Sequence, residues 1–242
     1  INILPLDKDE KITAMLPVHQ YTENEFIFMV TLNGTVKKTP LMDFARQRST
    51  GLIAIELDEG NTLVSAAITD GTRDVMLFGS GGKVIRFKES DVRAMGRTAR
   101  GVRGIKLKAD QKVISLMIPD EDGLVLIASH KGYGKRSKIE EFSVIGRGGQ
   151  GVIGMKTSER NGDVVGAVQV FPGDEAILIS DKGTLVRIPT DQVSTQGRNT
   201  QGVRLINLTR DEHLVGMAAV DEPEGAEFDD ADEDDDEGEG SE

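Results

Sequence analysis

The sequence predicts an all-β protein with a propeller-like architecture, and three observations support this fold class. Four segments of the chain align with one another at spacings of 48 to 51 residues. Each segment contains short apolar runs punctuated by glycine and asparagine, which is typical of strands joined by tight turns. No apolar period of 3.6 residues extends over a helical length. Four short strands in about 50 residues are typical of a propeller blade, which must stack on its neighbours to bury both faces.

Each repeat begins with an apolar strand that ends at a turn glycine. The first strands begin at Phe26, Val75, Leu124 and Ala176, and the turn glycines are Gly34, Gly82, Gly132 and Gly183. A second glycine recurs at Gly51, Gly101, Gly151 and Gly202, and four residues later stands an apolar side chain, Ile55, Ile105, Met155 or Ile206. We interpret the glycines as positions that need a positive φ or a close backbone approach. The predicted blades are residues 26–74, 75–123, 124–175 and 176–220, with a partial blade at 1–25.

Charge divides the chain into two parts. The net charge is −12, yet residues 221–242 contain 14 acidic residues and no lysine or arginine, so that residues 1–220 carry +2. The acidic tail is expected to be disordered. The absence of cysteine excludes disulfides and thiolate metal sites. The three histidines share no metal-ligand spacing, and no apolar run approaches the roughly 20 residues that span a bilayer.

Basic residues recur at one position of every repeat, four residues after the turn glycine. These residues, here called the strand series, are Lys38, Arg86, Arg136 and Arg187. In the second and fourth repeats, strand alternation places apolar neighbours on one face and the arginine on the other. We therefore predict that the strand series is exposed on an outer strand.

A second set of basic residues lies in and beside the loop that contains the second glycine. These residues, here called the loop series, are Arg46, Arg48, Arg97, Arg100, Arg103, Arg147, Arg198 and Arg204. Edge-strand solubility explains a single exposed cation. The same sign at the same register in every repeat instead favours an anionic polymer bent around the rim, and duplex DNA is the obvious one.

Two other functional classes stay open on the residues alone. A propeller that binds proteins through its faces would use apolar loops and ignore DNA. A propeller enzyme would need convergent acids, bases or metal ligands at its inner strands, and the sequence offers no such set. The glycine pattern Gly146-x-Gly148-x-x-Gly151 formally matches a dinucleotide fingerprint, but it lies in a β-repeat rather than at a βαβ turn.

These repeats resemble the C-terminal domains of bacterial DNA gyrase A subunits. The matching segments include NGTVKKT (33–39), GKVIRFKESDVRAMG (82–96), GVRGIKL (101–107), KGYGKRS (131–137), SERNG (158–162), VVGAVQV (164–170), GTLVR (183–187) and GRNTQGV (197–203). The resemblance extends over residues 1–220. It implies a β-pinwheel, in which neighbouring blades exchange strands and a basic rim wraps duplex DNA in support of ATP-dependent negative supercoiling. The related C-terminal domain of the topoisomerase IV A subunit is the alternative.

The resemblance also implies what lies outside this chain. The cleavage tyrosine and the ATPase of such enzymes are in other parts of the enzyme, so we expect no catalytic residue and no cofactor here, although the whole enzyme uses ATP and Mg²⁺. The implied partners are the gyrase B subunit, together with the rest of the gyrase A subunit, in an A2B2 heterotetramer. Its expected location is the bacterial cytoplasm, without a membrane.

A glycine-rich box and the acidic tail complete these expectations. Domains of this family typically have six blades and carry a Q-R-R-G-G-K-G box in the first, and this chain is expected to begin near the end of the second. The loop 145–151 matches that box at four positions, Arg147, Gly148, Gly149 and Gly151. Two interpretations of the acidic tail stay open, a solubilising segment and a tethered polyanion that competes with DNA.

Overall fold

Fifteen strands and four short 3-10 turns are found among residues 12–46, 48 and 51–220, the part of the chain that the computed structural model describes. In chain order the strands are β1 (Phe26–Thr31), β2 (Thr35–Pro40), β3 (Leu63–Thr69), β4 (Asp74–Gly79), β5 (Lys83–Lys88), β6 (Val102–Arg103), β7 (Val113–Met117), β8 (Leu124–Ser129), β9 (Tyr133–Lys138), β10 (Val152–Ile153), β11 (Val164–Val170), β12 (Glu175–Ser180), β13 (Leu185–Pro189), β14 (Val203–Arg204) and β15 (Leu214–Val220). The 3-10 turns are Leu41–Phe44, Glu89–Asp91, Ile139–Glu141 and Thr190–Gln192.

The strands form four antiparallel sheets that follow the four sequence repeats. Three sheets have four strands, in the orders β3-β1-β2-β6, β10-β5-β4-β7 and β11-β8-β9-β14. The fourth sheet has three strands, in the order β13-β12-β15. The prediction of an all-β, propeller-like fold with four blades is confirmed.

The outer strand of each four-stranded sheet belongs to the following repeat. β6 pairs with β2, β10 with β5 and β14 with β9. This is the strand exchange that the resemblance to a β-pinwheel implied. It also explains why the fourth blade differs from the four-stranded blade expected: its outer strand would come from a following repeat, and the described residues contain no strand after β15.

The recurring glycines lie at the junctions where strands are exchanged. Gly82 has φ +78°, and its carbonyl accepts the N–H groups of Gly154 and Met155 of the next repeat at 2.8 and 3.2 Å. A Cβ on Gly82 would lie 2.1 Å from the Met155 carbonyl oxygen. From the other side of the junction, Gly151 has φ +69°, and a Cβ there would lie 2.2 Å from the Val84 carbonyl oxygen. At this junction the glycines therefore allow two repeats to approach backbone to backbone.

The hydrophobic core lies between the blades. The inner strands β3, β7, β11 and β15 contact one another in succession. Phe28 of the first repeat and Phe87 of the second are fully buried, with ring centroids 6.4 Å apart in one cluster. Because each apolar cluster takes side chains from neighbouring repeats, adjacent blades share their cores.

Two predicted regions fall wholly or partly outside the described residues. The predicted partial blade at 1–25 is described only from residue 12, and residues 12–25 contain no strand. The acidic tail at 221–242, with its predicted disorder and its competition with DNA, lies outside the described residues.

Candidate nucleic-acid interface

Three members of the strand series are directed into the following repeat rather than toward solvent. Lys38, Arg86 and Arg136 lie on β2, β5 and β9, the strands that accept an exchanged strand. Each of the three side chains contacts the 3-10 turn of the next repeat or the residues directly after it. The three residues therefore link neighbouring blades.

Arg86 makes the most extensive of these links. Its exposed fraction is 7%, and its Nε donates to the Asp74 carboxylate of the same blade at 2.8 Å. Its Nη1 reaches the carbonyl oxygens of Ile139 and Phe142 in the third repeat at 3.3 and 3.5 Å, and its Nη2 is paired with Glu121. All five donors of a guanidinium can be used in such a fork, so this side chain is engaged within the protein.

Lys38 and Arg136 also contact the 3-10 turn of the next repeat, each through a carbonyl oxygen and a carboxylate. Lys38 is 6% exposed, and its ammonium lies 3.2 Å from the carbonyl oxygen and 3.7 Å from the carboxylate of Glu89, which is itself fully buried. Arg136 donates to the Val193 carbonyl at 2.8 Å and to the Asp191 carboxylate at 2.7 Å. Both therefore hold the next blade's 3-10 turn.

Arg187 differs from the other three. It lies on β13, whose sheet has no exchanged strand among the described residues, and its side chain is 42% exposed. It is paired with Glu175 of the same blade, the position that Asp74 occupies in the second repeat. The exposure predicted for the strand series therefore holds at Arg187 and is wrong for Lys38 and Arg86.

The physical reason for this difference is the strand exchange. Alternation correctly predicts that the cation and its apolar neighbours lie on opposite faces of the strand. In an isolated blade the second face would be solvated, but here the next repeat covers it with its 3-10 turn. A buried cation that is paired and hydrogen-bonded is tolerated at such a junction.

The loop series occupies the opposite environment. Most of its members are exposed, namely Arg46, Arg48, Arg100, Arg103, Arg147 and Arg204, and the two others, Arg97 and Arg198, are partly exposed. The members in the last three repeats lie in or beside the segments that lead into the exchanged strands β6, β10 and β14, and Arg46 and Arg48 lie at the equivalent place of the first repeat. The structure thus places exposed cations at successive blade junctions.

Two loop arginines are anchored to the preceding repeat in the same way. Arg147 Nη1 donates to the Arg103 carbonyl at 3.1 Å, and Arg198 Nη1 donates to the Ile153 carbonyl at 3.3 Å. Arg103 and Ile153 are equivalent residues of the exchanged strands β6 and β10. Because these anchors use neutral acceptors, both guanidiniums keep their full charge and further donors for an anion.

Arg100 and Arg103 show how the loop series varies. Arg100 is bridged to the exposed carboxylates of Glu56 and Asp58, which raise the pKa of its guanidinium. For Arg103, Arg97 and Arg147, no ion pair is found within residues 12–46, 48 and 51–220. Arg46, Arg48, Arg198 and Arg204 likewise have no ion pair in that part of the chain, so uncompensated charge of the loop series is found in all four repeats.

A cationic cluster around Tyr133 was not predicted. The guanidiniums of Arg160 and Arg204 lie 4.9 and 5.0 Å from the Tyr133 ring centroid, and Arg204 Nη2 donates to the phenol oxygen at 2.7 Å. The hydrogen bond from Arg160 is the main cause that lowers the pKa of Tyr133. Lys131 lines the same cavity. The sequence predicted only Arg204 as a contact, because Arg160 lies in the loop before β11, away from the repeated glycines that were used to find the basic positions.

Two buried lysines were also missed as members of the interface. Lys37 and Lys135 precede the strand series by one residue and have no exposed surface. Their ammonium groups donate to backbone carbonyls of the loops that carry Arg97 and Arg198. One sequence signal could have found them, since both lysines break the apolar alternation that holds in the second and fourth repeats.

Metal clusters and membrane-spanning helices are absent from the part of the chain that the structure describes. No group of three or more His, Asp or Glu side chains in this part could hold a metal ion. Within the same residues, no helix has the length and apolar character needed to cross a membrane.

Comparison with known proteins matches every blade to one family. The model of the family described as DNA gyrase C-terminal domain, beta-propeller, matches residues 25–70, 73–120, 123–170 and 174–221. Each match contains the three inner strands of one sheet, and the last three matches also contain the strand that is exchanged to the preceding sheet.

Curated relatives are DNA gyrase A subunits of bacteria. The subunit of Salmonella typhimurium is 53% identical over 92% of this chain and 25% of the relative, and that of Pseudomonas aeruginosa is 49% identical over 95% and 30%. The subunit of Escherichia coli is 51% identical over 92% of this chain and 26% of the relative. The chain therefore spans about a quarter to a third of the length of these relatives.

Solved structures share the fold over most of the chain. A DNA gyrase A C-terminal domain superposes with a TM-score of 0.80 at 27% identity and covers 90% of this chain and 73% of its own. The C-terminal domain of a DNA topoisomerase IV superposes with a TM-score of 0.85 at 27% identity, over 90% of this chain and 69% of its own.

Proposed function

The chain belongs to the family of DNA gyrase C-terminal domains with the β-propeller fold, and from this premise we propose that it is a duplex-DNA-wrapping domain of a gyrase A subunit. In this role it binds the DNA backbone along a curved path and bends it with one handedness. The bend presents a neighbouring DNA segment for strand passage by the rest of the enzyme, which supports negative supercoiling.

The observation that carries this proposal is the placement of exposed arginines at successive blade junctions. A ligand that follows these junctions must be long, anionic and regular, because the charges are separated by whole blades. Each neutralised phosphate releases counterions and adds affinity without reading a base. Distributed contacts of this kind can offset a smooth-bending free energy of about 1–6 kcal/mol per 20–30 bp.

The proposed DNA contacts are those of the loop series, with Arg160 added from the Tyr133 cluster. Arg160 and Arg204 present two guanidiniums at one ring, which suits a phosphate group. The burial of Lys38 and Arg86, and the pairing of Arg136 with the next repeat, support a role as links between blades instead. Arg187 stays a candidate contact, because its side chain is 42% exposed.

The decisive experiment measures DNA writhe. Nicked circular DNA is ligated with the protein bound, and the linking-number distribution is compared with that of a protein-free ligation. Wrapping of one handedness shifts the distribution toward positive writhe. Binding without any shift would overturn the wrapping proposal and leave a DNA-binding arc, and no binding at low salt would overturn DNA binding itself. A variant with Arg103 and Arg147 changed to Ala is the matched control and is expected to reduce the shift.

We extend the proposal to the rest of the enzyme on the strength of the family. Catalytic residues, ATP and Mg²⁺ belong to other parts of gyrase, whose A2B2 assembly supplies the partners of this domain in the bacterial cytoplasm. The acidic tail is proposed to compete with DNA for the basic body. Deletion of 221–242 should raise DNA affinity at low salt, and an unchanged affinity would leave a solubilising role.

The topoisomerase IV likeness supports a second candidate. Its C-terminal domain shares the fold at a TM-score of 0.85. Such a domain would use the same proposed DNA contacts, since the two solved domains each cover 90% of this chain.

A further inference from the structure

Lys37 and Lys135 bury a positive charge against backbone carbonyls. Both side chains are fully buried. The Lys37 ammonium donates to the carbonyl of Ala54 at 2.6 Å and to that of Arg97, and the Lys135 ammonium donates to the carbonyl of Gly197 at 2.6 Å. An apolar side chain of the same length would fill this space without the desolvation penalty of a buried cation. Packing alone therefore does not explain the lysines.

Each lysine has an acceptor carbonyl in the arginine loop of the following repeat, whereas Ala54, the other acceptor of Lys37, belongs to the first repeat itself. Lys37 of the first repeat holds the carbonyl of Arg97 itself, and Lys135 of the third repeat holds the carbonyl of the residue before Arg198. Each ammonium thus fixes the loop backbone at the point from which a guanidinium is presented. Neither lysine can contact DNA from its buried position.

The middle junction provides an internal comparison. Fully buried Ile85 takes the place of the lysine there. All three loops accept one backbone N–H from the preceding repeat, those of Glu56, Lys106 and Lys156, and the middle loop makes one further backbone bond. The Gly148 N–H donates to the Gly104 carbonyl at 2.6 Å. At the first junction Ala54 is the residue equivalent to Gly104, and its carbonyl accepts the Lys37 ammonium instead. Lys37 therefore takes over at the first junction a backbone contact that the middle loop makes by itself, whereas Lys135 holds its loop through the Gly197 carbonyl.

We propose that Lys37 and Lys135 are positioning residues that hold the loops 96–101 and 197–202, and with them the DNA contacts of Arg97 and Arg198, through their buried ammonium groups. The effect on DNA binding rests on the proposed function, whereas the positioning of the two loops by the lysines does not depend on it. The loop 146–151 is positioned without a lysine, so its position does not depend on a buried ammonium group.

The proposal makes the two loops sensitive to pH. Burial lowers the pKa of Lys37 to about 8, with Arg97 lowering it further and Asp43 opposing. Burial likewise lowers the pKa of Lys135 to about 8, opposed by Glu141 and reinforced by Arg198. Exposed lysines keep their charge to about pH 10. Between pH 7 and 9 these two groups lose their charge in the closed loops, whereas a lysine released by loop opening would keep its proton, so opening becomes less favourable as the pH rises.

The first test measures the loops without DNA. Hydrogen-exchange protection factors, corrected for the intrinsic pH dependence of exchange, are compared for residues 96–101, 146–151 and 197–202 at pH 7 and 9. We expect protection to rise about threefold or more at the first and third segments and to stay constant at 146–151. Equal changes in all three segments, or no change, would overturn the inference. This test needs no variant, so it holds even if a variant fails to fold.

The second test measures the consequence for DNA binding. The variant Lys37→Met/Lys135→Met is compared with Arg97→Ala/Arg198→Ala by the slope of log affinity against log salt, and Ile85→Met is the matched core control. We expect both double variants to lower the slope by up to about two, one for each arginine contact. Combining the four changes should lower it no further, because lysine and arginine act through one contact. The Ile85→Met slope should equal that of the unchanged protein.

The outcomes separate the inference from the proposed function. If the arginine variant lowers the slope and the folded lysine variant does not, the positioning role is wrong while DNA binding stands. If the unchanged protein does not bind DNA, the proposed function is wrong, and the exchange measurement still decides whether the lysines hold the loops.

Discussion

The strand series and the loop series carry the same charge at equally regular intervals, yet they lie in opposite environments. Lys38 and Arg86 are 6% and 7% exposed and are bonded to the next repeat, whereas Arg103 and Arg147 are exposed and lack a carboxylate partner among the described residues. Buried positions at the junctions between blades recur once per repeat, and so do exposed positions on the blade surface. Charges that recur once per repeat can therefore either bind a ligand or link neighbouring blades. In this fold, the strand exchange determines which of the two series is covered by the next repeat.

The largest expected effect is the loss of a junction link. Arg86→Met should lower the free energy of unfolding by about 3 kcal/mol. The change leaves Lys88 as the one ion-pair partner of the buried Asp74 carboxylate, and it removes the hydrogen bonds from Arg86 to the carbonyls of Ile139 and Phe142. Urea unfolding measures this change. At a temperature where the variant is folded, its salt slope for DNA should match that of the unchanged protein. A lower slope with unchanged stability would place Arg86 on the DNA instead.

A somewhat smaller effect is expected from the charge of Lys135. Its folded pKa of about 8 is lower than its unfolded value of 10.5, so the unfolded chain binds more protons between these values and stability rises with pH across that window. In the Lys135→Met variant, the increase in the free energy of unfolding across this pH window should be smaller by on the order of 2 kcal/mol. Unfolding measured from pH 7.5 to 10.5 tests it, with exposed Lys138→Met as the control. An identical rise in the Lys135 variant would contradict the lowered pKa.

The sequence sufficed to predict the blades but not what covers them. Glycine spacing and short apolar runs determine the strand count and the turns, since φ and strand length are local properties. The environment of Arg86 depends on a turn about 50 residues further along the chain, which no local pattern specifies. Arg160 was missed for the same reason, because only the folded chain brings it to Tyr133. Loop residues such as Arg147 were predictable as exposed because a glycine-rich loop carries them.

A loop arginine should show the converse behaviour to Arg86. Arg103→Ala is expected to leave the free energy of unfolding within about 0.5 kcal/mol, as for an exposed residue without structural partners. The salt slope for DNA should fall by up to about one, because one phosphate contact is lost. Arg73→Ala is the control, since the Arg73 side chain is 38% exposed, is paired with Asp120 and belongs to neither series. Equal slopes for the two variants would remove Arg103 from the interface.

A small loss of stability is expected at Arg187, the strand-series member whose sheet has no exchanged strand among the described residues. Its side chain is 42% exposed and paired with Glu175, and exposed ion pairs contribute about 0–1 kcal/mol. Arg187→Ala should therefore lower the free energy of unfolding by less than about 1 kcal/mol, against about 3 kcal/mol for Arg86→Met. Urea unfolding of the two variants under one buffer makes the comparison. A loss at Arg187 as large as that at Arg86 would mean that the cation stabilises its own blade, and that the contact with the following repeat is not what makes the strand series structural.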